Sequence, residues 1–306
     1  MNNNILNHLF SKDGAFWFLY YLINATPFKK CVPDKWYLTI QYRCFCGKFI
    51  NWKNPKTFNE KLQWLKVYNR KPEYTMMVDK VKVKDYVAQK IGEQYVIPTL
   101  GVWDKPEDID FDALPNQFVL KCNHDSGSIC ICRDKKTFDK SKAVSKLKAA
   151  MKRDMYWDGR EWPYKNVEKK VFAEKYMVDE SGIELKDYKF FCFGGVPTYC
   201  QVISDRNTDE KIDFFDMQWG RLVGLVGLND SVHNSEQDIS CPDSFSEMKS
   251  LAAKLANKLP FSRIDFYEIN HRPYFGEITF FPADALGSFR PMDWNDRMGE
   301  MISLNA

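Results

Sequence analysis

The chain has 306 residues, of which 44% are hydrophobic and 15% aromatic, and its formal net charge is +3. This length accommodates about two domains, and the composition is typical of a folded globular protein and excludes a disordered one. The near balance of charge argues against a dedicated nucleic-acid-binding protein, although basic residues cluster from Lys135 to Lys170. Nine cysteines without a C-x-x-C pair, and only four histidines, give no zinc-site spacing and indicate reduced thiols in a cytoplasmic protein.

The first apolar run of the chain, Ala15–Ile23, is too short to span a membrane. It does not resemble a secretory signal, because Asp13 precedes it and no clean cleavage site follows. We favour a buried helix or strand. The alternative is an interfacial anchor, with Lys29 and Lys30 at the lipid headgroups.

Helix and strand signals follow in alternation. A capping box at Thr57–Glu60 opens one helix, Asp79 caps the next, and Asp139–Arg153 forms an amphipathic third. A second capping box, Ser244–Glu247, opens a helix that runs to Leu259. Strands are predicted over residues 95–99, 117–121, 128–132, 170–176, 187–193 and 196–203, the last two joined by a Gly-Gly turn. Helices mixed with mostly antiparallel hairpins predict an α+β fold.

The loop of residues 123–127 is polar and joins two predicted strands. It is therefore not a Walker P-loop, which precedes a helix, and the chain has no Rossmann fingerprint either. A Gly/Ser loop in a hairpin can still cover phosphates with its backbone N–H groups, although an ordinary turn is the alternative. Lys121, just before the loop, ends an apolar strand, where a purely structural lysine is unusual.

A further hairpin is predicted near the end of the chain. Because side chains alternate between the faces of a strand, Arg263 and Asp265 share one face of its first strand, and Glu277 and Thr279 share one face of its second. Buried charges of this kind destabilise a fold unless they are paired. Two explanations stay open: a divalent metal on a phosphate, held by carboxylate oxygens, or an ion pair of Arg263 with Asp265 or Glu277.

A competing motif is Asp108-Ile-Asp110, a D-x-D sequence of the kind that binds manganese in many glycosyltransferases. Pro106 precedes it and no clear strand leads into it, so a solvated loop with acidic caps is the favoured interpretation. No nucleophilic triad and no kinase signature is evident.

Taken in order, these stretches resemble the ATP-grasp fold, and most closely its TupA-like branch, which occurs with cell-surface polysaccharide and teichuronopeptide biosynthesis. The resemblance extends from about Pro55 to Leu304 and is carried by residues 54–66, 78–80, 118–127, 187–195, 263–267 and 274–280. It implies two α+β lobes that clamp ATP. The implied segments are an N-terminal region 1–74, a pre-ATP-grasp segment 75–117, a first lobe 118–176, and a second lobe 177–306 that contains the metal hairpin.

The resemblance also implies ATP and Mg²⁺ as cofactors and gives roles to particular residues. The implied nucleotide-binding residues are Lys80, Lys121, Asn123, His124, Ser126, Gly127, Ser128, Glu174, Lys175, Tyr176 and Asp187. In this scheme the 123–128 loop is a lid over the phosphates, and residues 174–176 are an adenine hinge that acts largely through its backbone. The implied catalytic residues are Lys189 and Arg263, and the implied magnesium ligands are Asp265, Glu277 and Thr279. Many ATP-grasp enzymes have asparagine at the position of Thr279, so the number of metals stays open.

The resulting functional hypothesis is an ADP-forming carboxylate ligase that works through an acylphosphate. It would join an amino acid or amine to a uronic acid or similar unit of a surface polysaccharide. The alternatives are a metal-dependent glycosyltransferase that uses the D-x-D motif and a non-catalytic ATP-grasp-like scaffold. The expected location is the cytoplasm, with peripheral association at the inner membrane face where a glycan substrate is lipid-linked. The substrate and the oligomeric state do not follow from the sequence.

Overall fold

A computed structural model describes residues 7–179, 185–205, 209–229 and 231–304. Its helices are α1 Gly14–Asn24, α2 Asp34–Cys46, α3 Phe58–Tyr68, α4 Glu73–Val78, α5 Lys82–Ile91, α6 Lys140–Met151, α7 Met155–Gly159, α8 Phe245–Ala256 and α9 Asp293–Glu300. Its strands are β1 Thr99–Trp103, β2 Phe118–Cys122, β3 Cys130–Cys132, β4 Val171–Lys175, β5 Asp187–Phe193, β6 Val196–Ser204, β7 Lys211–Phe215, β8 Val226–Gly227, β9 Phe261–Ile269, β10 Arg272–Thr279 and β11 Phe289–Arg290.

The first sheet has four strands in the order β1-β4-β2-β3, and all neighbouring strands are antiparallel. Helix α6 covers it, with Leu147 and Ala150 in one apolar cluster with Phe118 and Leu120. The Asp139 carboxylate accepts the N–H of residue 142 at 2.8 Å, so the start of this amphipathic helix is as predicted.

The second sheet has five antiparallel strands in the order β10-β9-β5-β6-β7. Alternation along β5 gives its two faces different partners. Phe190 stacks on Phe245 of α8, whereas Phe191 lies beside Phe58 of α3 on the other face. Lys189 shares the face of Phe191, two residues away. An aromatic core and a charged site are therefore neighbours on one face of this sheet.

The N-terminal helices α1 and α2 pack on each other through a small cluster that contains Ile23, Tyr37 and Leu38. Of the buried helix or strand predicted for Ala15–Ile23, the structure has a helix, but one of its faces is exposed. Lys29 does not project freely, because its Nζ forms an ion pair with Asp158 at 2.7 Å. In the described part of the chain, no helix is long and apolar enough to cross a membrane.

Two local predictions are wrong. Residues 93–95 form a 3₁₀ turn, and strand β1 begins only at Thr99, because Pro98 has no N–H for a sheet ladder. The second capping box does not form: the Ser244 hydroxyl donates to Glu268, and the Glu247 carboxylate instead accepts from the Tyr95 hydroxyl. The first prediction fails for a local reason, and the second because more distant residues take the capping side chains.

The hairpins and the first capping box are confirmed. Thr57 and Glu60 make both reciprocal hydrogen bonds of the box at the start of α3. Gly194 and Gly195 join β5 to β6 with φ angles of 58° and 88°. The predicted segment boundaries at residues 74, 117 and 176 stay predictions; strand β1 lies before the second of them and nevertheless pairs with β4.

Candidate active site

A cavity of about 260 Å³ lies between the two large sheets. The first sheet contributes Lys121, Cys122, Phe172 and Glu174, and the loop after β2 contributes residues 125–129. The second sheet contributes Asp187, Lys189, Asp265, Tyr267, Phe275, Gly276 and Glu277. Lys80, Lys84, Val96 and Ile97 complete the lining. Four lysines and five carboxylates therefore meet in one cleft.

The β9–β10 hairpin forms the acidic wall of this cavity. Asp265 pairs with Glu277 in the register, and Arg263 pairs with Thr279. Arg263 Nε donates to Asp265 Oδ1 at 2.7 Å, and its Nη2 donates to Asp265 Oδ2 at 2.7 Å and to Glu277 Oε1 at 3.0 Å. The predicted sharing of faces is confirmed. Both ion pairs that the sequence left open as an alternative to a metal are present.

Two lysines complete this charge network from other elements. Lys189 Nζ, on β5, donates to Asp265 Oδ2 at 2.5 Å, and Lys80 Nζ donates to Glu277 Oε2 at 2.9 Å. The positive charge of Lys80, opposed by burial, holds the pKa of Glu277 well below its ordinary value. Burial favours the neutral amine of Lys80, yet the Glu277 carboxylate raises the pKa of Lys80 above its ordinary value. Glu277 is therefore ionised near neutral pH.

These side chains carry the type of donor atom that a hard divalent cation prefers: Asp265 and Glu277 offer carboxylate oxygens, and Thr279 offers a hydroxyl oxygen. Thr279 Oγ1 lies 3.2 Å from both Glu277 Oε1 and Arg263 Nη2, behind the cavity lining. Across the described residues, no group of three or more His, Cys, Asp or Glu side chains is placed to hold a metal. Any Mg²⁺ here would need oxygens from substrate or water in addition, as is usual for this ion.

On the opposite wall of the cavity, formed by the first sheet, Glu174 binds two lysines. Its carboxylate accepts from Lys84 Nζ at 3.0 Å and from Lys121 Nζ. Burial opposes its charge, but the two lysines hold the pKa of Glu174 below its ordinary value. This differs from the predicted hinge role, because Glu174 faces the cavity with its side chain and its backbone belongs to the β4 ladder.

The loop between β2 and β3 closes one side of the cavity. Ser126 and Gly127 are exposed at its tip, and Gly127 has a φ of 97°, which favours glycine. Ser128 Oγ is buried, donates to Asp125 Oδ1 at 2.6 Å and accepts the N–H of Cys122 at 2.8 Å. The tip is therefore presented to the cavity, while its base is fixed by hydrogen bonds.

Two of the predicted loop residues lie behind the cavity lining. Asn123 is fully buried, and its side chain bonds the N–H of Lys170 at 2.8 Å and the carbonyl of Glu168 at 2.9 Å. His124 is also buried, and burial lowers the pKa of its imidazole. The Asn123 side chain anchors the loop through these bonds, and neither residue lines the cavity with the other predicted residues.

A second cavity, of about 360 Å³, adjoins the first and is more apolar. The two share Ile97, Lys121, Ile129, Glu174, Asp187 and Tyr267. The predicted hinge residues Lys175 and Tyr176 line only the second, with Val119, Ile131 and Ile203. The Lys175 N–H already bonds the Pro98 carbonyl at 3.0 Å, so it is not free for a ligand. One cleft thus has a charged end and an apolar end that is suited to a flat ring.

Comparison with known families identifies the family of the chain that contains this cleft. A sequence model of the family described as TupA-like ATPgrasp matches residues 60–303. The chain belongs to the TupA-like ATP-grasp family. The predicted ATP-grasp fold and α+β class are therefore confirmed. No curated protein matches the chain.

The chain is also similar to solved structures. These include D-alanine–D-alanine ligase from Bacillus anthracis complexed with ATP, at 21% identity and a TM-score of 0.37, covering 67% of this chain and 54% of that one. An L-amino acid ligase from Bacillus licheniformis matches at 13% identity and a TM-score of 0.41, covering 74% and 50%. A biotin carboxylase–β,γ-ATP complex from Campylobacter jejuni matches at 14% identity and a TM-score of 0.40, covering 76% and 48%. The chain spans about half the length of each.

The TupA-like cleft also contains residues that the sequence analysis missed. Tyr267 lines both cavities and could have been found, because it shares a strand face with Arg263 and Asp265. Lys84 gave no such signal: it lies on α5 and reaches the cavity by bonding the Ile97 carbonyl at 2.9 Å and Glu174. Only the folded chain, in which the Lys84 side chain reaches from α5 to Glu174 of the first sheet, reveals it.

The D-x-D motif lies apart from the cleft of this TupA-like chain. Asp108 ends a 3₁₀ turn and Asp110 is exposed in the following loop, where its carboxylate accepts the N–H groups of Asp112 and Ala113, each at 3.1 Å. Neither aspartate lines the cavity between the sheets. This geometry matches the solvated, acidic-capped loop that we favoured and gives no support to a glycosyltransferase site.

Proposed function

We propose that this chain is an ATP- and Mg²⁺-dependent carboxylate ligase that forms ADP. The observation that carries the proposal is that Lys80 and Lys189 bond the paired carboxylates Glu277 and Asp265 at one end of a cleft whose other end is apolar. Lys121, which bonds Glu174, lines the same cavity. Lysines neutralise phosphate oxygens, and carboxylates are the protein ligands that Mg²⁺ prefers. The family of the chain supports the same class of chemistry.

The nucleotide would lie along the cleft, with its base in the apolar cavity beside Tyr176 and its phosphates toward Lys80 and Lys121. Each lysine now pairs with a protein carboxylate, so bound phosphate oxygens would replace those contacts rather than neutralise free cations. Asp265 and Glu277 would hold Mg²⁺, which neutralises charge on phosphate oxygens when bound. Arg263, which bonds both carboxylates, would keep them in place.

In the reaction, a substrate carboxylate oxygen attacks the γ-phosphorus of ATP and the bond to the β-phosphate oxygen breaks, which gives an acylphosphate and ADP. An amine nitrogen, or a hydroxyl, then attacks the acyl carbon, and inorganic phosphate leaves as the amide or ester forms. Lys189 and Arg263 contribute positive charge at this end of the cleft, where negative charge accumulates. Catalysis of this type depends on positioning and electrostatics.

For the substrate, we propose a uronic acid or similar unit of a cell-surface polysaccharide, joined to an amino acid or amine. The support is the family context alone. We propose that this substrate is a small molecule or a glycan unit, which a lipid carrier can hold.

The experiment is an ADP-release assay across candidate carboxylates and amines, with hydroxylamine added as a nucleophile. An acylphosphate is trapped as a hydroxamate, so we expect ADP and hydroxamate to accumulate together with the right carboxylate. Glu277→Gln, which keeps the shape of the side chain and removes its charge, is the matched control. Consumption of a sugar nucleotide, with no ADP from any carboxylate, would show that the ligase proposal is wrong.

A further inference from the structure

Helix α1 has two apolar faces, and only one of them is covered. Gly14, Trp17 and Ile23 are buried against the rest of the chain. On the other side Ala15, Phe18, Leu19 and Leu22 recur at the i, i+3, i+4 and i+7 spacing of one helix face, and all four are exposed. Phe18 is 60% exposed and Leu22 50%. The outer face of a surface helix is normally polar, so this apolar stripe is unusual.

Two further exposed aromatic residues, from α2 and the following loop, pack against other positions of α1. Phe49 packs against Phe16 with ring centroids 5.4 Å apart, and Phe45 packs against Trp17 at 5.1 Å. Both remain about half exposed. We call the stripe of Ala15, Phe18, Leu19 and Leu22 the N-terminal apolar patch. Contiguous apolar surface of this kind marks a contact with another apolar phase.

The charge around the N-terminal apolar patch has one sign. Residues 7–56, which the structure describes throughout, contain eight basic and two acidic residues, a balance of +6 against +3 for the whole chain. Both acidic residues are already paired: Asp13 with Arg43 at 2.5 Å, and Asp34 with Arg70 at 2.6 Å. Two exposed lysines lie near α1: Lys12 just precedes it in sequence, and Lys48 adjoins Phe49, which packs on Phe16 of α1. The N-terminal segment that carries the patch is therefore basic.

We propose that this surface docks on an anionic lipid membrane, with α1 lying flat in the interface. At 11 residues α1 is about 16 Å long, far too short to cross a hydrocarbon core of about 30 Å. An apolar helix face flanked by lysines is the arrangement of interfacial membrane helices. A second copy of the chain is a poorer occupant, because symmetric association would bring two basic surfaces together. The proposal does not depend on the proposed ligase activity.

The structure refines the interfacial anchor that the sequence left as the alternative. Lys29 is held by Asp158 and is not free for a headgroup, whereas the exposed face of α1 supplies the apolar contact. Deleting α1 would expose the apolar cluster that contains Tyr37 and Leu38. A truncated chain that did not bind membranes could therefore be unfolded, and the two causes could not be told apart. Substitution of exposed side chains avoids this problem.

The experiment is co-sedimentation of the full chain with vesicles of phosphatidylcholine and phosphatidylglycerol, and with pure phosphatidylcholine vesicles. We expect binding to the anionic vesicles that high salt reverses, since exposed charges are screened. Phe18→Ser with Leu22→Ser should weaken the partition coefficient at least about tenfold, because each side chain no longer enters the interface. Lys12→Glu with Lys48→Glu should weaken it while leaving the apolar face intact.

Val223→Ser with Met292→Ser is the matched control, since these apolar side chains are 84% and 81% exposed but lie outside the N-terminal segment. It should bind vesicles as the parent chain does, and the melting temperatures of all variants should agree. Failure of the parent chain to sediment with anionic vesicles would overturn the proposal. Equal sedimentation of the Phe18/Leu22 variant and the parent chain with anionic vesicles would also overturn it. A third contrary outcome is a dimer of the parent chain in sedimentation equilibrium that the Phe18/Leu22 substitutions dissociate, while neither protein binds vesicles.

Discussion

Asp265 and Glu277 lie opposite each other in the β9–β10 hairpin, and Arg263 Nη2 bridges their carboxylates at 2.7 and 3.0 Å. Asp265 is almost completely buried, whereas 34% of the Glu277 side chain is exposed. The pair therefore has one structural member, fixed by Arg263 and Lys189, and one member that is open to the cavity. This difference determines which substitution tests the site most cleanly.

Glu277→Gln should reduce Mg-ATP turnover about 10²- to 10³-fold, the range for removing one preorganised electrostatic contact. Its partial exposure makes the loss of charge tolerable to the fold, whereas Asp265→Asn would also leave Lys189 and Arg263 underpaired. Steady-state ADP release measures the effect. Asp110→Asn, in the D-x-D loop, should retain most activity; the reverse ranking would favour a glycosyltransferase.

Mg-ATP should raise the melting temperature of the chain. A ligand that binds only the folded state at about 100 times its Kd adds about 2.7 kcal/mol to the free energy of unfolding. A thermal-shift series with Mg-ATP, ATP plus chelator, and sugar nucleotides separates the hypotheses. Stabilisation by Mg-ATP alone is expected of a ligase, and the absence of any shift with ATP would favour a non-catalytic scaffold.

Lys66→Met should destabilise the fold by about 3–5 kcal/mol, the usual cost of breaking a buried ion pair. Lys66 is fully buried on α3, and its Nζ donates to Asp284 Oδ1 at 2.5 Å and to the carbonyls of Asp284 and Gly159 at 2.8 and 2.9 Å. Urea unfolding followed by circular dichroism measures the change. Lys71→Met, at an exposed position between α3 and α4, should be nearly neutral; equal effects of the two substitutions would contradict the assignment.

Glu161→Gln should change how stability depends on pH. Burial, reinforced by the charge of Asp284, raises the pKa of Glu161 from its ordinary 4.5 to about 8. Between those values the folded chain keeps a proton that the unfolded chain has released, so the free energy of unfolding falls as pH rises. The contribution is fully present below pH 4.5 and is lost by about pH 8.

Glutamine cannot ionise, so the free energy of unfolding of the Glu161→Gln variant should fall less over this interval and exceed that of the parent chain at its upper end. Urea titrations at several pH values measure the slope. The exposed Glu93→Gln substitution is the control and should leave the slope unchanged. Parallel curves for the Glu161→Gln variant and the parent chain would show that Glu161 is not buried as described.

The sequence by itself determined the features that backbone geometry dictates locally. The capping box at Thr57, the Gly194-Gly195 turn and the shared strand face of Arg263 and Asp265 all follow from spacings of a few residues, and all are present. The order of the motifs was enough to identify the family, and with it the fold.

Tertiary structure decided the rest, because it depends on partners that are distant in the chain. The pairing of Lys84 with Glu174 spans 90 residues, and that of Lys66 with Asp284 spans 218. Ser244 does not cap its helix, because its hydroxyl donates a hydrogen bond to Glu268 on strand β9. Local patterns predict which face a side chain occupies, but the free energy of a buried charge depends on what is docked against that face, and only the folded chain brings those partners together.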